Sequence, residues 1–255
     1  MAATDHLLTD ALRRDPAGPA LTYYDDATGE RTELSATTLA NWVAKTGNLL
    51  QDEVGLSAGE SVAVRLPAHW QTAAVLLASW SVGGIVTTDA AAADVAFCAA
   101  TDLDAATRPS GQVIALGFAP LGRPMPQPPA GALDYAAVVP AQPDAFSAYQ
   151  PVGDDAPAVT DREDTRTGGQ LVTGARERAG VFGLRAGDRV LSTVAWTGWP
   201  AWVDGLLAPL AAGASIVLCA HADPAGLAHR VEAEAVSSTL GVTVDGVRRL
   251  DRSRD

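Results

Sequence analysis

Gly183-Leu184-Arg185-Ala186-Gly187-Asp188-Arg189-Val190 reads as a second version of Gly55-Leu56-Ser57-Ala58-Gly59-Glu60-Ser61-Val62, 128 residues further along the chain. Each run is a glycine-punctuated turn leading into an apolar strand, Val62 to Leu66 in the first case and Val190 to Val194 in the second. After the first strand, Pro67 to Val82 carries Trp70, Ala74, Leu77 and Trp80 at helical spacing, Gly83-Gly84 stops it, and Ile85-Val86-Thr87 returns as a strand. Strand, helix, strand with a short closure is a βαβ unit, which requires a parallel pair. In the second half Leu206-Leu207 with Gly213 answers Leu76-Leu77 with Gly83 at an offset of 130, Ile216-Val217-Leu218 supplies the closing strand, and Pro157-Ala158-Val159-Thr160 answers Pro19-Ala20-Leu21-Thr22. A nearly constant offset over a whole unit predicts an α/β fold of two similar βαβ-containing subdomains with mostly parallel sheets.

Upstream, Thr4 to Arg14 is an amphipathic helix, and Ala20 to Tyr24, a turn at Asp25 to Gly29, and Glu30-Arg31-Thr32 form a hairpin. Ser35 then caps a helix running to Gly55, with Leu39, Trp42, Val43, Thr46, Leu49 and Leu50 at helical spacing. Between the two copies the chain is rich in proline and holds one strand, Gln112 to Leu116. The expected organisation is a first subdomain over 1–104, a proline-rich connection over 105–155, a second subdomain over 156–247, and a frayed, charge-alternating tail over 248–255.

The hydrophobic fraction of 47% supplies a packed core, and the net charge of −12 opposes nucleic acid and anionic lipid. No basic region followed by an apolar run opens the chain and no long uninterrupted apolar stretch occurs, so a cytoplasmic protein with no membrane partner is expected. Cys98 and Cys219 lie in apolar runs and read as small buried thiols rather than a disulfide. His6, His69, His221 and His229 show no metal-ligand spacing, so no metal and no cofactor is expected. Lys45 is the only lysine.

Gly55-Leu56-Ser57-Ala58-Gly59 matches the G-x-S-x-G pattern of a nucleophile elbow, but that elbow needs a strand before the serine and a helix after it. Here the order is helix, turn, strand, and Arg185 takes the serine's place in the second copy. Lys45-Thr46 lacks the glycine a phosphate loop needs before its lysine and reads as a solvated helix face. Thr165-Arg166-Thr167-Gly168-Gly169 has the small residues of an anion cradle ahead of a helix, while its place in the repeat makes it a hairpin strand followed by a helix cap. Trp196, Thr197 and Trp199, with Trp202, follow the strand Val190 to Val194, at the carboxyl end where α/β proteins place ligands. They line either a pocket or an interface patch, with at least one tryptophan in the core. The candidate ligand-binding residues are therefore Trp196, Thr197, Trp199, Thr167, Gly168 and Gly169, with no catalytic residue.

Leu34 to Leu39 with Gly55 to Pro67, and Gly183 to Ser192 with Leu206 to Ala214, resemble the N-terminal domain of the adenylate-forming superfamily of acyl-CoA synthetases, peptide-synthetase adenylation domains and luciferases. In length the chain looks like a short actinobacterial family related to AMP-binding proteins. The resemblance covers roughly Pro19 to Gly241 and implies two βαβ-containing subdomains, ATP as co-substrate and a carboxylate substrate. It also implies a Ser/Thr/Gly-rich loop ending in Pro-Lys-Gly, which meets the phosphate charge. Between Asp155 and Gly183, where that loop belongs, there is no lysine, and arginines there alternate with acids. At the family's aromatic-histidine motif stand Ala195, Trp196, Thr197 and Gly198, and the chain ends near Asp255, ahead of the adenine and magnesium motifs and the C-terminal domain. The expected function is a non-catalytic, AMP-binding-enzyme-like protein with a binding or regulatory role toward a protein partner or a second copy. The alternative is a small-molecule-binding protein for an acyl, CoA or nucleotide ligand, or a subunit of an acyl-activating system.

Overall fold

The computed structural model describes residues 2–103, 111–161 and 164–251. In chain order the elements are α1 (Asp5–Arg14), β1 (Pro19–Asp25), β2 (Glu30–Ser35), α2 (Ala36–Asn48), β3 (Ser61–Arg65), α3 (Trp70–Ser81), β4 (Ile85–Thr87) and β5 (Val95–Ala99). There follow β6 (Gln112–Leu116), β7 (Leu133–Asp134), α4 (Tyr135–Val138), β8 (Pro157–Asp161), β9 (Asp164–Thr167) and α5 (Gly168–Val181). The chain continues with β10 (Arg189–Ser192), α6 (Trp199–Trp202), α7 (Ala208–Ala212), β11 (Ser215–Ala220), α8 (Pro224–Ala233), β12 (Ser238–Leu240) and β13 (Arg248–Leu250). Two compact units result, and neither is a continuous stretch of chain. One holds Ala40–Pro67 and Gln71–Gln170 with the first few residues, the other His6–Leu39, Ala68–Trp70 and Leu171–Asp255.

The first unit carries a seven-stranded sheet in the order β7-β6-β5-β3-β4-β8-β9, and the second a six-stranded sheet in the order β13-β12-β10-β11-β1-β2. Every pairing is parallel except the two hairpins, β1 with β2 and β8 with β9. The mixed α/β class and the parallel sheets expected from the sequence are thus present. The strands read as central, β3 and β10, each lie between two parallel neighbours. Hairpin β1–β2 extends the sheet built from the last third of the chain, and β8–β9 extends the sheet built from its first half.

The turns ahead of β3 and β10 are held by matching bonds. The Ser57 amide donates to the Glu60 carboxylate at 2.7 Å and the Gly59 amide to the Gly83 carbonyl at 2.9 Å. In the other unit the Arg185 amide donates to Asp188 at 2.9 Å and the Gly187 amide to the Gly213 carbonyl at 3.1 Å. Ser57 therefore sits in a helix-to-strand turn, as its sequence context indicates. The helix capped at Ser35, whose Oγ accepts from the Thr38 amide, widens into a π-helical turn over Leu49–Val54 and is stopped by Gly55 at φ +77°.

In the second unit apolar side chains alternate across the sheet. Val190, Leu240 and Leu250 share one cluster with Phe182, just past the end of α5, and Ala208 of α7. Leu191, Val217 and Cys219 pack on the other face with Leu227 of α8. Cys98 and Cys219 are both buried free thiols, and burial raises the pKa of each. Three expectations change. β10 stops at Ser192 rather than Val194: the Thr193 amide still reaches the Leu240 carbonyl of β12, but the Val194 amide turns back to the Ser192 hydroxyl at 3.3 Å. Arg248–Leu250 forms a paired strand with Leu250 buried, instead of fraying. Lys45 lies in α2 but is not a solvated side chain: its ammonium donates to the carbonyls of Pro140 and Gln142 and pairs with Asp144 at 3.0 Å. The subdomain boundary read near 104–105 and the tail beyond Asp251 lie outside the described residues.

Candidate functional site

The carboxyl edge of the second unit's sheet is where its connections diverge. From β10 the chain leaves toward β11 through α6 and α7, whereas α8 carries it back past β10 to β12. Adjacent strands whose loops leave in opposite directions open a crevice, which is the usual ligand position in such sheets. A crevice of about 560 Å³ lies there, bounded by Thr193 after β10, Gly241, Val242 and Asp245 after β12, and Ala222 and Leu227 at the start of α8. Its lining is mostly apolar with a few hydroxyl and carboxylate groups, which suits a small organic ligand.

The wall formed by the β11–α8 connection is pinned from β1. Asp26 accepts the Asp223 amide at 2.7 Å and an Arg230 nitrogen at 2.6 Å, and the Arg230 guanidinium lies 4.2 Å from the centroid of the Tyr24 ring. Asp223 caps α8 through the Ala225 amide, with Pro224 at the first helical position. His221, in the left-handed region at φ +47°, approaches Asp25 at 2.8 Å through Nδ1. Burial pushes the Asp25 carboxyl up, but the bonds from His221 and the Ala27 amide outweigh it and hold the group below its ordinary value. The hydrogen bond from Arg230 does the same for Asp26.

Of the tryptophans that follow β10, Trp196 is buried to 3% exposure and its indole lies over Gly205, where a Cβ would stand 2.3 Å from Nε1. Among the described residues that Nε1 has no hydrogen-bond partner. Trp202 is buried, Trp199 half-buried against Gly174 of α5, and Thr197 exposed. Gly198, at φ +144°, makes the reversal into α6 that only glycine adopts without strain. Behind these rings, Arg178 of α5 pairs with buried Asp204 at 2.7 Å and lies over the Phe182 ring.

Thr167, Gly168 and Gly169 belong to the other unit and form the junction of β9 with α5. The Thr167 amide donates to the Gln170 side chain at 2.9 Å and its hydroxyl accepts the Gln170 amide, a reciprocal helix cap. The amides that would cradle an anion are occupied: Gly168 donates to the Ala156 carbonyl at 3.0 Å and Gly169 to the Asp154 carbonyl at 2.7 Å. Arg166 is paired with Asp164. Of the two readings of this run, the helix cap is the one the structure displays, and the open cradle is corrected. Sequence reasoning also passed over the crevice wall, although Asp223-Pro224 is an N-cap followed by an N1 proline and marks the start of α8.

No family model matches the chain. It is 47% identical over 240 residues to the "TIGR03089 family protein" of Mycobacterium tuberculosis, covering 92% of this chain and 96% of that protein. Among solved structures it matches acetoacetyl-CoA synthetase from Streptomyces lividans (TM-score 0.75, 23% identity, 94% of this chain and 42% of that one). It also matches the anthranilate-CoA ligase AuaEII in complex with anthranoyl-AMP (0.75, 16% identity, 94% and 49%). A third match is apo MatB from Rhodopseudomonas palustris (0.71, 16% identity, 95% and 50%). The chain thus spans half or less of the length of these structures. Among the described residues no helix is long and apolar enough to cross a membrane. The chain belongs to the TIGR03089 family, and its fold is that of the N-terminal domain of adenylate-forming enzymes.

Proposed function

We propose that this chain is a non-catalytic relative of the adenylate-forming enzymes that binds a small acyl-type ligand in the crevice at the carboxyl ends of β10 and β12 without activating it. The observation that carries the reading is the closed junction of β9 and α5. There the amides of Gly168 and Gly169 are spent on the carbonyls of Ala156 and Asp154, within the stretch from Asp155 to Gly183 where the resemblance calls for a phosphate loop. The sole lysine is spent likewise, on the carbonyls of Pro140 and Gln142 and the carboxylate of Asp144. Losing a single preorganised donor from a charge-stabilising site costs on the order of 10²–10³ in rate, and here the lysine and these two amides are withdrawn together. The apolar lining near Leu227 and Val242, with hydroxyls from Thr193 and Thr243, supports an acyl chain with a polar end in the crevice. Of the residues on the loop that leaves β10, Thr197 is exposed and is the proposed neighbour of that ligand, whereas Trp196 and Trp199 pack behind it and do not line the crevice. The matched turn bonds at Ser57 and Arg185 support reading the chain as two copies of one unit.

The test has two arms. ATP–pyrophosphate exchange at high protein concentration with a mixed pool of fatty, aryl and amino acids is expected to stay at the buffer blank. Thermal unfolding is expected to shift upward with acyl-CoA, as any ligand of the native state requires. Exchange above the blank that disappears in Arg166→Ala would overturn the non-catalytic reading. Absence of any shift, or a shift that persists in Ala228→Trp at the crevice mouth, would overturn the crevice.

A further inference from the structure

We propose that the second unit carries another ligand site, for a small monocarboxylate with an apolar body, at the amino ends of β1, β10 and β11, on the sheet edge opposite the crevice. A cavity of about 460 Å³ opens there, with apolar walls from Ala11, Pro19, Ala36, Leu210 and Ala214. Arg14, the last residue of α1, stands at its rim. The Arg14 guanidinium occupies the space that a side chain at Gly213 would fill, a Cβ there falling 1.4 Å from Nη1. Gly213 is glycine because it ends α7 in the left-handed region at φ +75°, and its bare Cα is what seats the arginine head.

The polar groups around this cavity differ in how much hydrogen-bonding capacity they have left. Asp15 accepts the Gly18 amide, and Asp188 accepts the Arg185 amide and the Ser237 hydroxyl. Arg189 is taken up by Ser215, Thr22 and Glu234. The Leu210 and Pro209 carbonyls of α7 are met by the amides of Gly213 and Ala214. Arg14 bonds only through Nε, to the Asp10 carbonyl at 3.2 Å, and among the described residues its two terminal nitrogens have no partner. An apolar chamber in which, among the described residues, the one cation with uncommitted donors is a guanidinium fork selects a ligand with a single carboxylate, which the fork meets with two parallel hydrogen bonds, and a hydrocarbon or aryl body behind it. A dianion or a phosphate ester would find no second cation with free donors, and the turn acids Asp15 and Asp188 would repel it.

The test titrates the full chain with hexanoate and benzoate, and with hexanamide and benzamide as uncharged counterparts, following binding by calorimetry and by amide NMR shifts. Saturable binding is expected for the two acids and not for the amides. Arg14→Gln, at an exposed position, should weaken it by at least about tenfold, the loss of one charge-assisted contact. Ala186→Trp, in the exposed turn at the cavity's rim, should block it. Ala228→Trp closes the opposite crevice and should leave this binding intact, so the two sites succeed or fail separately. No saturable binding to the native chain, or affinity unchanged in both Arg14→Gln and Ala186→Trp, would overturn the proposal.

Discussion

Glu234, just beyond the end of α8, gathers side chains from three strands of the second unit. Tyr24 donates to it at 2.5 Å, Arg31 at 2.9 Å, and Arg189 closes the group from β10. Burial pushes its carboxyl up, but the bonds from Tyr24, Arg189 and Arg31 prevail and hold it at about 2, against an ordinary value of 4.5. A carboxylate with a depressed folded-state pKa contributes stability that is fully present above its unfolded value and is lost as the pH falls through the folded value. Glu234→Gln should therefore destabilise the chain by about 3 kcal/mol near neutral pH, chiefly because it leaves the buried Arg189 guanidinium short of a counter-charge. In urea unfolding the gap between variant and parent should narrow steadily below about pH 5. A gap that stays constant down to acid pH would show that the carboxylate's charge is not what matters. None of this cluster was legible beforehand, because Tyr24, Arg31, Arg189 and Glu234 are brought together only by the pairing of β1 with β11 and the path of α8.

At the scale of elements, local signals placed the helices and strands well wherever a glycine or a cap ended them. Gly55, Gly83 and Gly213 all adopt positive φ at the stops read from the sequence. The tryptophan cluster after β10 shows the limit of such reading. Its position at a strand's carboxyl end was visible, but which ring is buried depended on the π-helical turn Val203–Leu207, which joins α6 to α7 and brings Gly205 beneath Trp196. Gly205→Ala tests that contact directly. A methyl group there would collide with the indole, and overpacking of a fixed core ring typically costs about 1–3 kcal/mol. The variant should melt lower than the parent, and Trp196→Phe, which shortens the ring system, should recover part of the loss when combined with it. Additive effects of the two changes would separate Gly205 from Trp196.

For the whole molecule, the consequence of the sheet orders is that neither sheet is completed by a contiguous half of the chain. β1–β2 pairs with β11, nearly two hundred residues later, and β8–β9 pairs with β4. Cutting the chain after Asp155, between the halves that the sequence pattern suggests, should give two fragments that each carry the other's hairpin. Each is expected to lack stable structure alone, because closing a sheet on distant strands is what offsets the entropy of ordering them. An equimolar mixture should regain the circular dichroism and hydrogen-exchange protection of the intact chain, and a fragment that folds fully by itself would contradict the exchanged-hairpin topology. The sequence by itself determined the βαβ units, their parallel sense and the likeness to adenylate-forming enzymes, because glycine stops, apolar periodicity and the 128-residue offset are local or repeating features of the chain. Only the tertiary structure decided that each hairpin completes the other sheet, that the Gly168-Gly169 amides are already spent, and that among the described residues the terminal nitrogens of Arg14 over Gly213 meet no partner. Those outcomes depend on which distant groups meet, and hydrogen-bonding capacity is a property of the pair and not of the residue.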